Sequence, residues 1–90
     1  MENGGKPKRK RSVVWRDVDG ETVIISSDNK LLHTLNDIGS RIWVLLDGEH
    51  DIDKIASIIS SEYGEEKEIV KQDLVVYIEN LWQFELLEGR

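Results

Sequence analysis

The sequence predicts an α+β fold of order βββααα, a three-stranded antiparallel sheet followed by three helices. Three observations carry this. β-branched runs crowd between Val13 and Leu35, with a turn dipeptide between them; from Asn36 onward, apolar residues recur at helical spacing; and Gly48 and Gly64 stand where two of those helices should end.

Val13 to Val18, "VVWRDV", reads as the first strand. Asp19-Gly20 is a strong type I′ hairpin signal, and Glu21 to Ser26 returns with Thr22, Val23, Ile24 and Ile25. Ser27-Asp28-Asn29 is turn chemistry, because Asx side chains bond nearby backbone. Leu31 to Leu35 is a short third strand, and a meander leaves the outer edge of that strand open.

Asn36 suits the N-cap of the first helix, whose apolar positions are Ile38, Ile42, Leu45 and Leu46 with Trp43 beside them. Asp51 caps a second helix with the stripe Ile52, Ile55, Ala56, Ile59 and Tyr63, closed by Gly64. Glu65, Glu66 and Glu68 lie near the start of a third helix, at the positive end of its dipole. Val70, Leu74, Ile78 and Leu81 form the core stripe of that helix. Ile69, Tyr77 and Phe84 widen the apolar area on one flank, and Val75 and Trp82 on the other. A helix on a small sheet needs one stripe, so the flanks ask for further partners.

Composition limits what such a chain does. Ninety residues make one small core without room for a deep catalytic cavity. There is no cysteine, which excludes disulfides, thiol nucleophiles and zinc knuckles built by this chain alone. No apolar run approaches the roughly 18 residues of a spanning helix. No secretory signal opens the chain, so a cytoplasmic, non-membrane protein is expected. His33 and His50 share no ligand spacing, the serines have no histidine placed by a motif, and no phosphate-binding glycine loop is present. The reading is a binding module, not an enzyme, with no metal and no cofactor.

Charge is divided unevenly. Lys6, Lys8, Arg9, Lys10 and Arg11 stand against Glu2 in residues 1–11, which read as a flexible basic arm whose loss should leave the fold nearly intact. Residues 12–90, the expected folded domain, hold the other seven basic and seventeen acidic residues. Such a body repels phosphates and is unsuited to nucleic acid.

The stretch "TLNDIGSRIWVLLDG" and the later "VKQDLVVYIENLWQFELL" together resemble the PqqD-like family, peptide-recognition domains of pathways that modify ribosomally made peptides. Leu35, Asn36, Gly39, Ile42, Trp43, Leu45, Leu46, Asp47 and Gly48 match the first part of the family pattern. Asp73, Leu74, Tyr77, Ile78, Leu81, Leu86 and Leu87 match the last. The resemblance spans about residues 13–88. Lys54 departs from it by losing the reciprocal half of a capping box at Asp51. Glu85 departs from it by occupying the usual glycine position before Leu86.

The resemblance implies a small winged-helix-like domain that binds the leader segment of a precursor peptide by strand addition. It would present that leader to a modifying enzyme, either a radical S-adenosylmethionine (SAM) protein or a leader peptidase. Carried over residue by residue, Leu31, Leu32, His33, Thr34 and Leu35 would be the receiving edge. Val70, Asp73, Leu74 and Tyr77 would be the helical wall, with Asp73 available to a leader lysine or arginine. The open edge is also available for homodimerisation. The alternative of another class is a winged-helix DNA-binding protein that uses its basic arm.

Overall fold

A computed structural model describes residues 6–25 and 31–88. Eight elements follow in order: β1 (Lys8–Arg9), β2 (Val14–Val18), β3 (Glu21–Ile25), β4 (Leu31–Leu35), α1 (Asp37–Leu45), α2 (Ile52–Tyr63), α3 (Lys67–Gln83) and β5 (Leu87–Glu88). The expected meander is present as an antiparallel sheet of order β2-β3-β4, with the three helices after it. The turn expected at Ser27-Asp28-Asn29 lies outside the described residues.

Local chemistry sets the joints. Asp19 and Gly20 both take positive φ, 53° and 85°, as a type I′ turn requires. The Asn36 side chain accepts the Gly39 N–H at 2.8 Å. The Asp51 side chain accepts the Lys54 N–H at 2.7 Å, so its cap holds without a glutamate to reciprocate. Gly64 ends α2 in the left-handed region, at φ 70°.

The end of α3 answers the departure at Glu85. The Glu85 N–H donates to the Trp82 carbonyl at 2.9 Å and the Leu86 N–H to the Leu81 carbonyl at 3.0 Å, a Schellman closure. Leu81 and Leu86 are both buried beside it. Glu85 itself sits at φ 59°, where a Cβ is unfavourable. Glu85→Gly should therefore stabilise the domain by about 0.5–1 kcal/mol, read as a higher urea midpoint. An unchanged or lower midpoint would mean that the turn carries no strain.

The core is centred on Trp43, Ile24, Leu46 and Ile55, none of which has exposed surface. Trp15 meets the Trp43 ring edge-on, with centroids 6.2 Å apart. The stripe Val70, Leu74, Ile78 and Leu81 is buried as expected. The flanks are not filled, since Ile69, Val75 and Phe84 stay exposed and Tyr77 and Trp82 are half-buried.

The basic N-terminal segment differs from the expected arm. Residues 1–5 lie outside the described residues, but Pro7 is buried and β1 pairs antiparallel with β5, Lys8 opposite Glu88 and Arg9 opposite Leu87. The Arg9 N–H donates to the Leu46 carbonyl at 2.8 Å, Lys10 N–H to Leu86 at 2.9 Å, and Gly48 N–H to Pro7 at 3.0 Å. The Arg9 guanidinium donates to the carbonyls of Trp43 at 2.7 Å and Val44 at 2.9 Å. α1 has no basic residue in its own last turn, so Arg9 supplies the cation its dipole favours. From residue 7 onward the segment is thus a strap bound to the domain.

Candidate peptide-binding edge and groove

The candidate site begins with the ladder of β4. The pair Val18 and Glu21 closes the two-residue hairpin, so it exchanges both backbone bonds. Alternation then turns the N–H and C=O of Val23 toward β2, and those of Thr22 and Ile24 toward β4. A side-chain bridge agrees with this. Thr22 N–H donates to Ser40 Oγ at 2.8 Å, and Ser40 Oγ–H donates to the Leu35 carbonyl at 3.1 Å.

His33 lies opposite Ile24 and Thr34 opposite Val23. The backbone of His33 therefore faces β3, while the N–H and C=O of Thr34 face outward from the sheet. No strand covers that side of β4 among the described residues. The register shifts between Ile24 and Ile25, which leaves Leu32 as the extra residue opposite them.

Helix α3 is tied to the start of α1 and to β4 at two points about two turns apart. Tyr77 Oη–H donates to the Gly39 carbonyl at 3.1 Å. Phe84 meets the His33 ring edge-on, with centroids 4.5 Å apart. Burial pushes the Tyr77 hydroxyl well above its ordinary pKa, so it remains a proton donor at any physiological pH. Gly39 makes the first contact possible. A Cβ there would stand 3.2 Å from Tyr77 Oη and 3.2 Å from Asn36 Oδ1.

Beyond Leu35 the edge runs into a groove of about 490 Å³. Asn36, Ile38, Gly39 and Ile42 of the α1 region form one wall, Ile69, Val70, Leu74 and Tyr77 of α3 the other, and Ile59 of α2 lies between. Among the described residues, Glu65 and Asp73 are the charged ones that line it. Exposed Ile38 and Ile69 make its walls apolar up to the rim.

The residues expected from the sequence fall into two adjoining parts. Val70, Asp73, Leu74 and Tyr77 line the groove together, although Leu74 is 1% exposed and serves the core at the same time. Leu31, Leu32, His33, Thr34 and Leu35 all lie in β4, and of the last three none lines the groove. Leu35 is buried and Thr34 exposed. The α1 contribution, Ile38 and Gly39, was missed. By its period Ile38 reads as part of the α1 stripe, and only its exposure in the folded chain places it on the groove.

The residues described provide no group of three or more histidine, cysteine or carboxylate side chains able to hold a metal ion. Among them, no helix is long and apolar enough to cross a membrane.

The family model for coenzyme PQQ synthesis protein D (PqqD) matches residues 21–87. Among solved structures, TbiB1 in complex with the TbiA(beta) leader peptide aligns at TM-score 0.80 and 32% identity, over 92% of this chain and 96% of that one. A lasso peptide synthetase B1 complexed with its leader peptide aligns at TM-score 0.78 and 18% identity, over 92% and 98%. The PqqD truncation of Methylobacterium extorquens PqqCD, described as a functional and stand-alone recognition element for ribosomally synthesised and modified peptides, aligns at TM-score 0.75 and 24% identity, over 98% and 99%. At their identities, the last two likenesses speak for the fold. No curated protein matches the chain.

Proposed function

Since this chain belongs to the PqqD family, we propose that it binds the leader of a ribosomally made precursor peptide and presents it to a modifying enzyme, without catalysing a reaction itself. The observation that carries this reading is the outward-facing backbone of β4, whose end at Leu35 is followed by Asn36 on the wall of a largely apolar groove. Strand addition draws affinity from main-chain bonds and specificity from pockets for alternate side chains, and the two parts of the site supply one each.

Leu31 to Leu35 are the proposed receiving edge, and Val70, Asp73, Leu74 and Tyr77 the proposed wall. The partner enzyme is a radical SAM protein or a leader peptidase, as elsewhere in the family. The compartment is the cytoplasm, where a ribosomal product is first met. In the absence of peptide the same edge is free to pair a second copy, so leader should compete with dimer formation. The DNA-binding alternative gains nothing from the helix that would have to read bases. Lys67 and Lys71 of α3 both reach Asp53, at 3.1 and 3.2 Å.

The alternation along β4 makes this testable with two adjacent prolines. Thr34→Pro removes an N–H that bonds nothing in the sheet, so it should spare the fold. It should weaken a leader-length peptide, selected on the wild-type protein from a displayed library, by more than tenfold in titration calorimetry, through the lost bond and the added ring. His33→Pro removes an N–H facing β3, and should abolish the folded circular dichroism spectrum or nearly so. A folded Thr34→Pro protein that binds as tightly as wild type would move the peptide to another surface.

A further inference from the structure

We infer that the groove selects a leader segment in which a bulky apolar side chain is followed or preceded, within two positions, by lysine or arginine. The inference rests on the strand-addition reading and specifies the chemistry of its occupant. A strand added beside Leu31–Leu35 continues over Asn36, and so delivers a side chain to the apolar walls of the groove. Neighbouring positions on a strand lie within about 7 Å of that side chain. The long stem of a lysine or arginine there spans to the rim.

The rim is charged with one sign. Among the described residues, Glu65 and Asp73 line the groove and no cation does. The nearby cations of α1 and α3 among the described residues are committed elsewhere. Lys67 and Lys71 hold Asp53, and Arg41 forks onto Glu62 at 2.9 and 2.8 Å. On α3, the positions one turn from Asp73 are Ile69, Val70, Val76 and Tyr77, so the helix offers it no internal ion pair. Two carboxylates thus border an apolar groove that the family's ligand class fills, and the complementary occupant is an apolar residue beside a cation. Asp73 and Glu65 act here as specificity residues, and the apolar walls supply the bulk of the contact.

The test is selection from a randomised displayed peptide library on three proteins: wild type, Asp73→Asn with Glu65→Gln, and Thr34→Pro. Wild type should enrich a large apolar residue with lysine or arginine within two positions. The double variant should keep the apolar preference and lose the basic one. A selected lysine peptide should bind it about fivefold more weakly, the scale of exposed ion pairs. Raising the salt should weaken wild-type binding and leave the double variant nearly unchanged.

Apolar enrichment without basic bias on wild type would overturn this inference and leave strand addition standing, provided Thr34→Pro still loses the peptides. A basic bias that survives in the double variant would also overturn it. Peptides that bind Thr34→Pro as well as wild type, or no enrichment at all, would overturn the strand-addition reading together with this one.

Discussion

Replacing Trp43 with alanine should destabilise the domain by about 3–5 kcal/mol, the range for removing a large buried aromatic ring. Trp43 has no exposed surface, lies between the sheet and the helices, and receives Trp15 edge-on. A loss of that size is most of what a small domain holds, so the variant should be largely unfolded at 37 °C. Trp43→Phe is the informative companion. The Trp43 Nε1–H is buried with no acceptor among the described residues, and such a donor costs about 1–3 kcal/mol. Phenylalanine removes that donor along with part of the ring, so its loss should be less than half that of alanine. Urea unfolding with an unchanged m-value measures both. A cost below about 1 kcal/mol for alanine would contradict the packing around this ring.

Deleting residues 1–11 should cost about 2–4 kcal/mol, against the sequence-based expectation of almost no effect. The deletion removes β1 from β5 and the backbone bonds of Pro7, Arg9 and Lys10 to Gly48, Leu46 and Leu86. It also removes the guanidinium of Arg9 from the end of α1 and from above the Trp15 ring, 5.4 Å from its centroid. Each bond contributes about 0.5–1.5 kcal/mol, and water recovers part of that where the partner becomes exposed. Arg9→Ala alone, with the strap in place, should account for about 1–2 kcal/mol through the lost charge at the helix end. The ion pairs of Lys10 with Glu85 and Arg11 with Glu88 are exposed on at least one side and should add little. A truncated protein with the wild-type urea midpoint would show that the strap is dispensable.

What the sequence determined by itself was whatever depends on residues close together along the chain. Asp19-Gly20 specified a type I′ turn because only residues tolerant of positive φ close a two-residue hairpin. Asn36 and Asp51 marked helix starts because their side chains bond an N–H three residues on, and Gly64 marked an end for the converse reason. The stripe Val70, Leu74, Ile78 and Leu81 identified the buried face of α3 through its period. The resemblance to the family pattern, read over the same segments, pointed to the class of ligand and to Leu31–Leu35 as the strand now proposed to receive it.

Tertiary structure alone decided the rest, because it depends on pairs far apart in sequence. β1 and β5 are two residues each and show no period, and Lys8 finds Glu88 only once the helices have brought both ends of the chain together. The helical end at Glu85 was legible as a departure, but only the bonds from the Glu85 and Leu86 N–H groups to the Trp82 and Leu81 carbonyls show that the turn closes with a left-handed glutamate. Which residue of β4 turns its N–H away from the sheet is fixed by register, and a shift of one position would exchange His33 for Thr34. The groove is the furthest from sequence. Its walls come from α1, α2 and α3, so Ile38, Ile59 and Ile69 line one space only because those helices converge.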